Sequence, residues 1–223
     1  MIPREHLGTA QVPGGEELRL FRHGRDFIIV LDRNELMNTR MSGSEEALAT
    51  MALERLGNRH APHLLIGGYG MGFTLRAALG KLGPDGRVTL AELVPEIIEW
   101  AEGPMAELTA GCLDDRRVRL EQADVADLID EAQGDYDAIL LDVDNGPDGL
   151  VRHANNRLYS ARGLRSAMMA LAPGGVLAIW SAAPDPGFRR KLGDAGFAVD
   201  EVRVRARSNG KGGHHIIWFA RKG

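Results

Sequence analysis

Four places in this sequence combine residue types that could hold a nucleoside-like ligand and work on it. The first is Gly67-Gly68-Tyr69-Gly70-Met71-Gly72, entered directly from the apolar run 64–66. Glycines between a strand and a helix permit a tight turn and close approach of backbone to a ligand. The spacing is GxGxG, without the GxGxxG of a pyrophosphate site, so a nicotinamide dinucleotide is disfavoured. Taken singly, such a turn can also be no more than a strand-to-helix junction. The second is Glu92-Leu93, where a carboxylate at a strand end can accept both ribose hydroxyl protons. The third is Asp124-Val125. Asp124 can accept from an adenine amino group or cap a helix, and Val125 can pack on the ring. The fourth is Asp142, at the end of another apolar run. A carboxylate there can orient an acceptor or take its proton.

For these groups to meet, the chain must bring successive strand ends to one edge of a sheet. The pattern supports that. Strands are expected at 64–66, 88–92, 118–121, 138–142 and 176–180, and helices at 72–82, 95–108, 125–131 and 158–171. Alternating strand and helix implies a parallel sheet covered on both faces. The order breaks at the end, where a helix at 186–195 precedes strands at 199–206 and 215–220 joined by a Gly-rich turn, which reads as an antiparallel pair. The fold class expected is therefore α/β, a doubly wound, mostly parallel seven-stranded Rossmann-like sheet of the class I methyltransferase kind. Before it, residues 1–58 read as a small β-hairpin and helix segment, with Ser44 as helix N-cap, and 59–223 as the ligand-binding domain.

At 223 residues with a net charge of −4 and no dominant basic run, the chain is of one-domain size and nucleic acid is not favoured as a partner. One cysteine, Cys112, excludes an intrachain disulfide and a Cys-rich metal site. No metal is expected. His214 and His215 are adjacent on a strand and point to opposite faces, so they cannot easily share an ion. No stretch has the length or apolarity of a membrane span or a signal peptide, and a cytoplasmic location is expected.

The chain resembles the spermidine synthase, or polyamine aminopropyltransferase, family from residue 31 to about 180. Residues 63–72 resemble that family's strand and GGGDGG loop, and Ala91-Glu92-Leu93 its ribose-binding segment. Residues 115–124 resemble its DPRV…D stretch, Tyr136 to Asp142 its YDVIIxD strand with the catalytic Asp, and Leu158-Tyr159 its LF…FY segment. The resemblance implies a class I fold, an adenosyl sulfonium donor, a small-molecule acceptor and a homodimer. It assigns Gly67, Gly68, Tyr69, Gly70, Gly72, Glu92, Leu93, Asp124, Val125 and Asp142 to the donor, and Asp142, Asp144, Asn145 and Tyr159 to catalysis and the acceptor.

Three positions depart from the family. Gly70 stands where the loop has an amine-binding Asp, Asn145 stands where a second Asp helps hold the diamine, and Glu45-Glu46 fall near the family's Tyr-His pair. Asp144 lies two residues from Asp142, so on an extended backbone both point one way. Asp144 and Asp148 could replace the missing acids, or 144–149 could be a polar turn. Because Gly70 lacks the carboxylate, the leading expectation is methyl transfer from S-adenosylmethionine. Aminopropyl transfer from the decarboxylated donor to a polyamine is the alternative, and a non-catalytic nucleoside-binding protein is a third. Asn38, Arg40, Glu45 and His153 are weaker acceptor-side candidates. Trp100 and Met105 are expected in the core, and Arg203, Arg205 and Arg207 on one face of a late strand.

Overall fold

A computed structural model describes residues 3–143 and 157–223. Its main sheet has seven strands. Five lie in the order of the expected alternation: β5 (His63–Gly67), β6 (Arg87–Ala91), β7 (Val118–Glu121), β8 (Tyr136–Leu141) and β9 (Leu171–Ser181). The last two, β10 (Ala198–Arg205) and β11 (His214–Arg221), form the antiparallel pair. The spatial order is β10-β11-β9-β8-β5-β6-β7, with β5 through β9 parallel and β11 antiparallel to β9. The doubly wound α/β expectation holds.

Side-chain alternation explains why both faces carry helices. Leu64, Ile66, Ala138, Leu140, Val176 and Ala178 enter one apolar cluster, while Leu65, Ile139, Leu141, Leu177 and Ile179 enter the other. Successive strand residues point to opposite faces, so strands buried on both sides need two covering layers. The first face is covered by α1 (Gly43–Leu56), α2 (Phe73–Lys81) and α3 (Pro95–Glu102), the second by α5 (Val125–Glu131), α6 (Ala161–Ala170) and α7 (Pro186–Asp194).

Four expectations need correction. The helix expected over 95–108 is two pieces, α3 and the short α4 (Ala106–Thr109), because Gly103-Pro104 interrupts it. Met105 lies in that break and Trp100 on α3, and both are buried as expected. The helix expected from Leu158 begins at Ala161, where the Ser160 side chain accepts from the Gly163 N–H. Ser44 is not the N-cap of α1; Ser42 holds that position without a side-chain bond, and Ser44 is wholly buried one residue inside the helix.

The fourth correction enlarges the N-terminal segment. The expected hairpin is β2 (Glu17–His23) with β3 (Asp26–Leu31), flanked by β1 (Glu5–Gln11) and β4 (Asn34–Asn38) in one antiparallel four-stranded sheet. Polar residues dominate both outer strands, so neither shows a clear apolar alternation. Inner residues Leu20, Ile29 and Leu31 join the cluster on the first face of the main sheet. Helix α1 packs on α2 and on β9, next to β11 and β8.

Candidate functional site

The glycine turn is pinned from both sides. Gly68 N–H donates to the Ala91 carbonyl at 3.0 Å, and Asp142 N–H donates to the Gly67 carbonyl at 3.0 Å. These bonds continue the ladders of β5 with β6 and β8 past the last strand residues. Gly68 has φ +83°, and a Cβ there would lie 2.6 Å from the Asp142 carbonyl oxygen. Only glycine fits both the backbone angle and the approach. Gly72 also has positive φ, at the start of α2, and packs under the Tyr69 ring.

Glu92 is buried beneath this turn. Its carboxylate accepts from Tyr69 N–H at 2.8 Å and Val94 N–H at 2.9 Å. Burial pushes its pKa up, and the backbone donors oppose that rise by stabilising the charged form. The backbone N–H groups of Leu93 and Gly70 also stabilise its charged form. It faces a cavity lined by Gly68, Gly70, Leu93, Asp124, Val125 and Asp142 on the main-sheet side. Val12, Leu18, Ile29, Leu36 and Met37 from the N-terminal segment close the other side. A glycine-cradled cavity with a buried carboxylate and apolar walls fits an adenosyl group. Asp124 also caps α5, accepting from Ala126 N–H at 3.0 Å, and its other oxygen lies 3.1 Å from the Arg157 guanidinium.

Asp142 reaches this cavity and a second one. The two share Leu36, Met37, Gly70, Asp142 and Val143. The second cavity adds Glu35, Met41, Glu45, Met71, Trp180 and His215, among others. Thr74 Oγ1 donates to Asp142 Oδ2 at 2.8 Å. Glu45 Oε2 accepts from Ser44 Oγ at 2.6 Å, and Ser44 Oγ lies 2.8 Å from His215 Nδ1. Burial raises both carboxyls: Glu45 to about 8, with the charge of Asp142 adding to the rise, and Asp142 to about 6, with the Thr74 bond opposing it. Among the described residues lining this cavity there are three carboxylates and no lysine or arginine.

The candidates divide clearly. Gly68, Gly70, Glu92, Leu93, Asp124, Val125 and Asp142 line the first cavity, and Tyr69, Gly70 and Asp142 the second. Tyr69 turns its hydroxyl inward, 3.4 Å from Cys112 Sγ. Gly67 and Gly72 act through backbone geometry and line neither cavity. Tyr159 lies in the apolar cluster of the second face, edge-on to Phe188 at 5.6 Å, and lines neither cavity. Asn38 donates to Glu35 at 2.6 Å and Arg40 pairs with Asp26 at 3.6 Å, both outside the cavity linings. Asp144, Asn145, Asp148 and His153 lie outside the described residues.

Three cavity residues stand out less in the sequence. His215 is set on β11, far along the chain from the other site residues, and only the topology brings it to α1. Leu36 and Met37 lie on β4, the strand that the pattern did not mark. Glu45, by contrast, was visible as a polar residue near the family's Tyr-His position.

No family model matches the chain. It is 31% identical over 166 residues to polyamine aminopropyltransferase 1 of Streptomyces coelicolor, covering 71% of this chain and 30% of that protein. It is 28% identical over 207 residues to the polyamine aminopropyltransferase of Mycobacterium tuberculosis, covering 89% of this chain and 38% of that protein. The chain thus spans about a third of the length of these curated relatives. Among solved structures it superposes on spermidine synthase from Thermotoga maritima with a TM-score of 0.77 at 19% identity, covering 98% of this chain and 73% of that one. A spermidine synthase in complex with the transition state analogue AdoDATO gives 0.76 at 20% identity, covering 98% and 72%.

The expectation of methyl transfer does not stand against these relatives, which are named for aminopropyl transfer. It rested on the lost carboxylate at Gly70. The structure shows why that inference misled: Glu45, from a different element, puts a carboxylate on the cavity that Gly70 also lines. The sequence relatives bear out the resemblance to the spermidine synthase-like family, and the solved structures bear out its methyltransferase-like fold.

Proposed function

We propose that this chain is a transferase that moves an aminopropyl group from decarboxylated S-adenosylmethionine to an amino group of a polyamine acceptor. The observation that carries the reading is the second cavity, with Glu35, Glu45 and Asp142 on apolar walls and no described lysine or arginine. A cation with an alkyl chain loses hydration on entry, and paired carboxylates offset that loss. The same carboxylates would repel the carboxylate of intact S-adenosylmethionine, which favours the decarboxylated donor.

In this reading the first cavity holds the adenosyl group. Glu92 accepts from the ribose hydroxyls, Asp124 accepts from the adenine amino group, and Leu93 and Val125 pack on the base. The donor's sulfonium activates the adjacent carbon, so the protein's task is alignment and proton removal. Asp142, which lies at the junction of the cavities, takes a proton from the acceptor ammonium. The freed nitrogen lone pair attacks the aminopropyl carbon, and the carbon–sulfur bond breaks with its electrons on sulfur. The products are a secondary ammonium and a neutral thioether. Asp144 and Asn145 remain acceptor-side candidates. The protein is proposed to work in the cytoplasm, as a homodimer.

Calorimetry with S-adenosylmethionine and its decarboxylated form, followed by a transfer assay with 1,4-diaminobutane, tests this. Tighter binding of the decarboxylated donor and formation of the thioether are expected. Tighter binding of intact S-adenosylmethionine, or no thioether, would overturn the reading.

A further inference from the structure

The glycine turn alternates two kinds of position. Gly68, Gly70 and Gly72 have φ of +83°, +55° and +74°, a region that L side chains rarely adopt. Tyr69 and Met71, between them, lie outside that region and carry buried side chains. The GGGDGG loop that this turn resembles has glycine at both of those places. A side chain there removes conformational freedom from the unfolded turn and can tie the folded turn to a neighbour.

Tyr69 makes such a tie. Its ring folds back over its own turn, so closely that a Cβ on Gly72 would lie 2.7 Å from the hydroxyl oxygen. That hydroxyl lies 3.4 Å from Cys112 Sγ, on the short 3-10 turn Cys112–Asp114 that follows α4. Cys112, Thr109 and Arg76 are the side chains that bear on the tyrosine oxygen. A second tie runs beside it. From α2, Arg76 donates through Nε to the Gly72 carbonyl at 3.4 Å and through Nη1 to the Leu108 carbonyl at 2.5 Å. None of Tyr69, Arg76, Thr109 and Cys112 lines the donor-side cavity.

The backbone of the same tyrosine does reach the group that matters there. Tyr69 N–H donates to Glu92 Oε2 at 2.8 Å, and the next amide, of Gly70, also stabilises the Glu92 charge. Gly72 N–H donates to the Tyr69 carbonyl at 2.8 Å and closes the turn. One residue thus joins Cys112, the closing bond of the turn and the carboxylate assigned to the ribose.

We propose that Tyr69 is a strut and that Cys112, acting through it, is a positioning residue for the donor: the hydroxyl–thiol contact fixes the glycine turn so that its amides hold Glu92 in the orientation that receives the ribose. The proposal rests on the donor-cavity assignment in the aminopropyl-transfer reading above. Packing alone makes a different prediction. A buried free cysteine packs as a small apolar side chain, which valine imitates well and serine poorly. A hydrogen bond to Tyr69 reverses that order, because serine can donate or accept and valine can do neither.

The test begins with the ligand-free protein. The chain has one cysteine, so its infrared spectrum carries a single S–H stretching band. That band should shift in Tyr69→Phe, and an unmoved band would overturn the contact. Calorimetry with decarboxylated S-adenosylmethionine follows. Tyr69→Phe and Cys112→Val should each weaken donor binding about fivefold, the scale of one hydrogen bond. Cys112→Ser should stay within about twofold, and the double variant Tyr69→Phe/Cys112→Val should lose no more than either single one. At saturating donor, kcat and the amine KM should be unchanged in all of them. Normal donor binding in Cys112→Val, a larger loss in Cys112→Ser than in Cys112→Val, or additive losses in the double variant would overturn the proposal. So would a fall in kcat at saturating donor with donor affinity unchanged. If the band shifts but the wild type binds neither decarboxylated S-adenosylmethionine nor its thioether product, the donor-cavity assignment fails and the role of the strut fails with it; if the wild type binds the donor and Cys112→Val binds it equally well, the strut alone fails.

Discussion

The two cavities that meet at Asp142 are built in different ways. The donor-side cavity is made mostly from the ends of consecutive parallel strands, with the N-terminal sheet as a cover. Its buried carboxylate and its glycine turn are held by backbone, Glu92 by the N–H groups of Tyr69 and Val94 and Gly68 by the Ala91 carbonyl, while Asp124 is shared between the Ala126 N–H and the Arg157 guanidinium. The acceptor-side cavity draws on α1, β4, the glycine turn, β9 and β11, elements spread across the chain. Its polar groups are held by other side chains, Asp142 by Thr74 and Glu45 by Ser44. Backbone-held groups tolerate sequence change around them, whereas side-chain networks are free to be rebuilt. That contrast predicts that substitutions on the two sides should fail differently.

The sharpest test of the division is the residue both sides share. Asp142→Asn keeps the Thr74 contact and the shape, and removes the base. We expect kcat for transfer to fall by about 10²–10⁴-fold, with donor affinity by calorimetry changed less than threefold. A matching loss of donor affinity would show that Asp142 belongs to the donor side alone.

Glu92→Ala should fail on the donor side. It leaves the Tyr69 and Val94 N–H groups buried without acceptors, a cost of about 1–3 kcal/mol for each such group. The melting temperature should fall, and donor affinity should fall by about 10²-fold as the ribose loses its acceptor, taking about 3 kcal/mol as the measure. Amine KM at saturating donor should stay within threefold. A variant that melts normally and binds donor normally would remove Glu92 from the site.

The same contrast decides what could be read from the sequence. Parallel strands read as apolar runs, and whatever ends them sits at a known edge, so Gly68, Glu92, Asp124 and Asp142 were legible one after another. The acceptor side depends on which distant elements touch. Nothing local in His214-His215 says that the second histidine will reach the first turn of α1. Ser44 resembled a helix cap because serine before acidic residues usually is one. Here α1 starts earlier, and the hydroxyl serves Glu45 and His215 instead. Reading Gly70 as a lost charge failed for the same reason, since a carboxylate from another element occupies the neighbouring wall. The β1 and β4 strands were missed because their alternation is masked by polar residues.

Glu45→Gln should act on the acceptor side and on pH dependence. We expect the amine KM to rise about tenfold, the scale of about 1.4 kcal/mol of lost charge-assisted binding. Both Glu45 and Asp142 have folded-state pKa values above the ordinary carboxylate range. The folded protein therefore holds protons that the unfolded chain has released, and stability falls as pH rises. The contribution is full below the ordinary carboxylate range and is lost as pH climbs through about 6 and then about 8. Melting temperature of the ligand-free wild type should decline across that window, and Glu45→Gln should flatten the upper part of the decline. An identical pH dependence in the variant would show that Glu45 does not titrate there.

The smallest effect is expected at Tyr159, which the family resemblance places at the acceptor. In the structure its ring is buried on the second face of the sheet, against Phe188, and neither cavity includes it. Tyr159→Phe keeps the ring and its edge-on packing, so loss of the hydroxyl should cost about 0.5–1.5 kcal/mol of stability, the range of one hydrogen bond. Both kcat and amine KM should change less than twofold. A fall in kcat/KM of tenfold or more, at unchanged melting temperature, would put the hydroxyl in the acceptor's path. The acceptor cavity would then draw on the second face of the sheet as well as the first, and the division between the two sides would lie elsewhere than at Asp142.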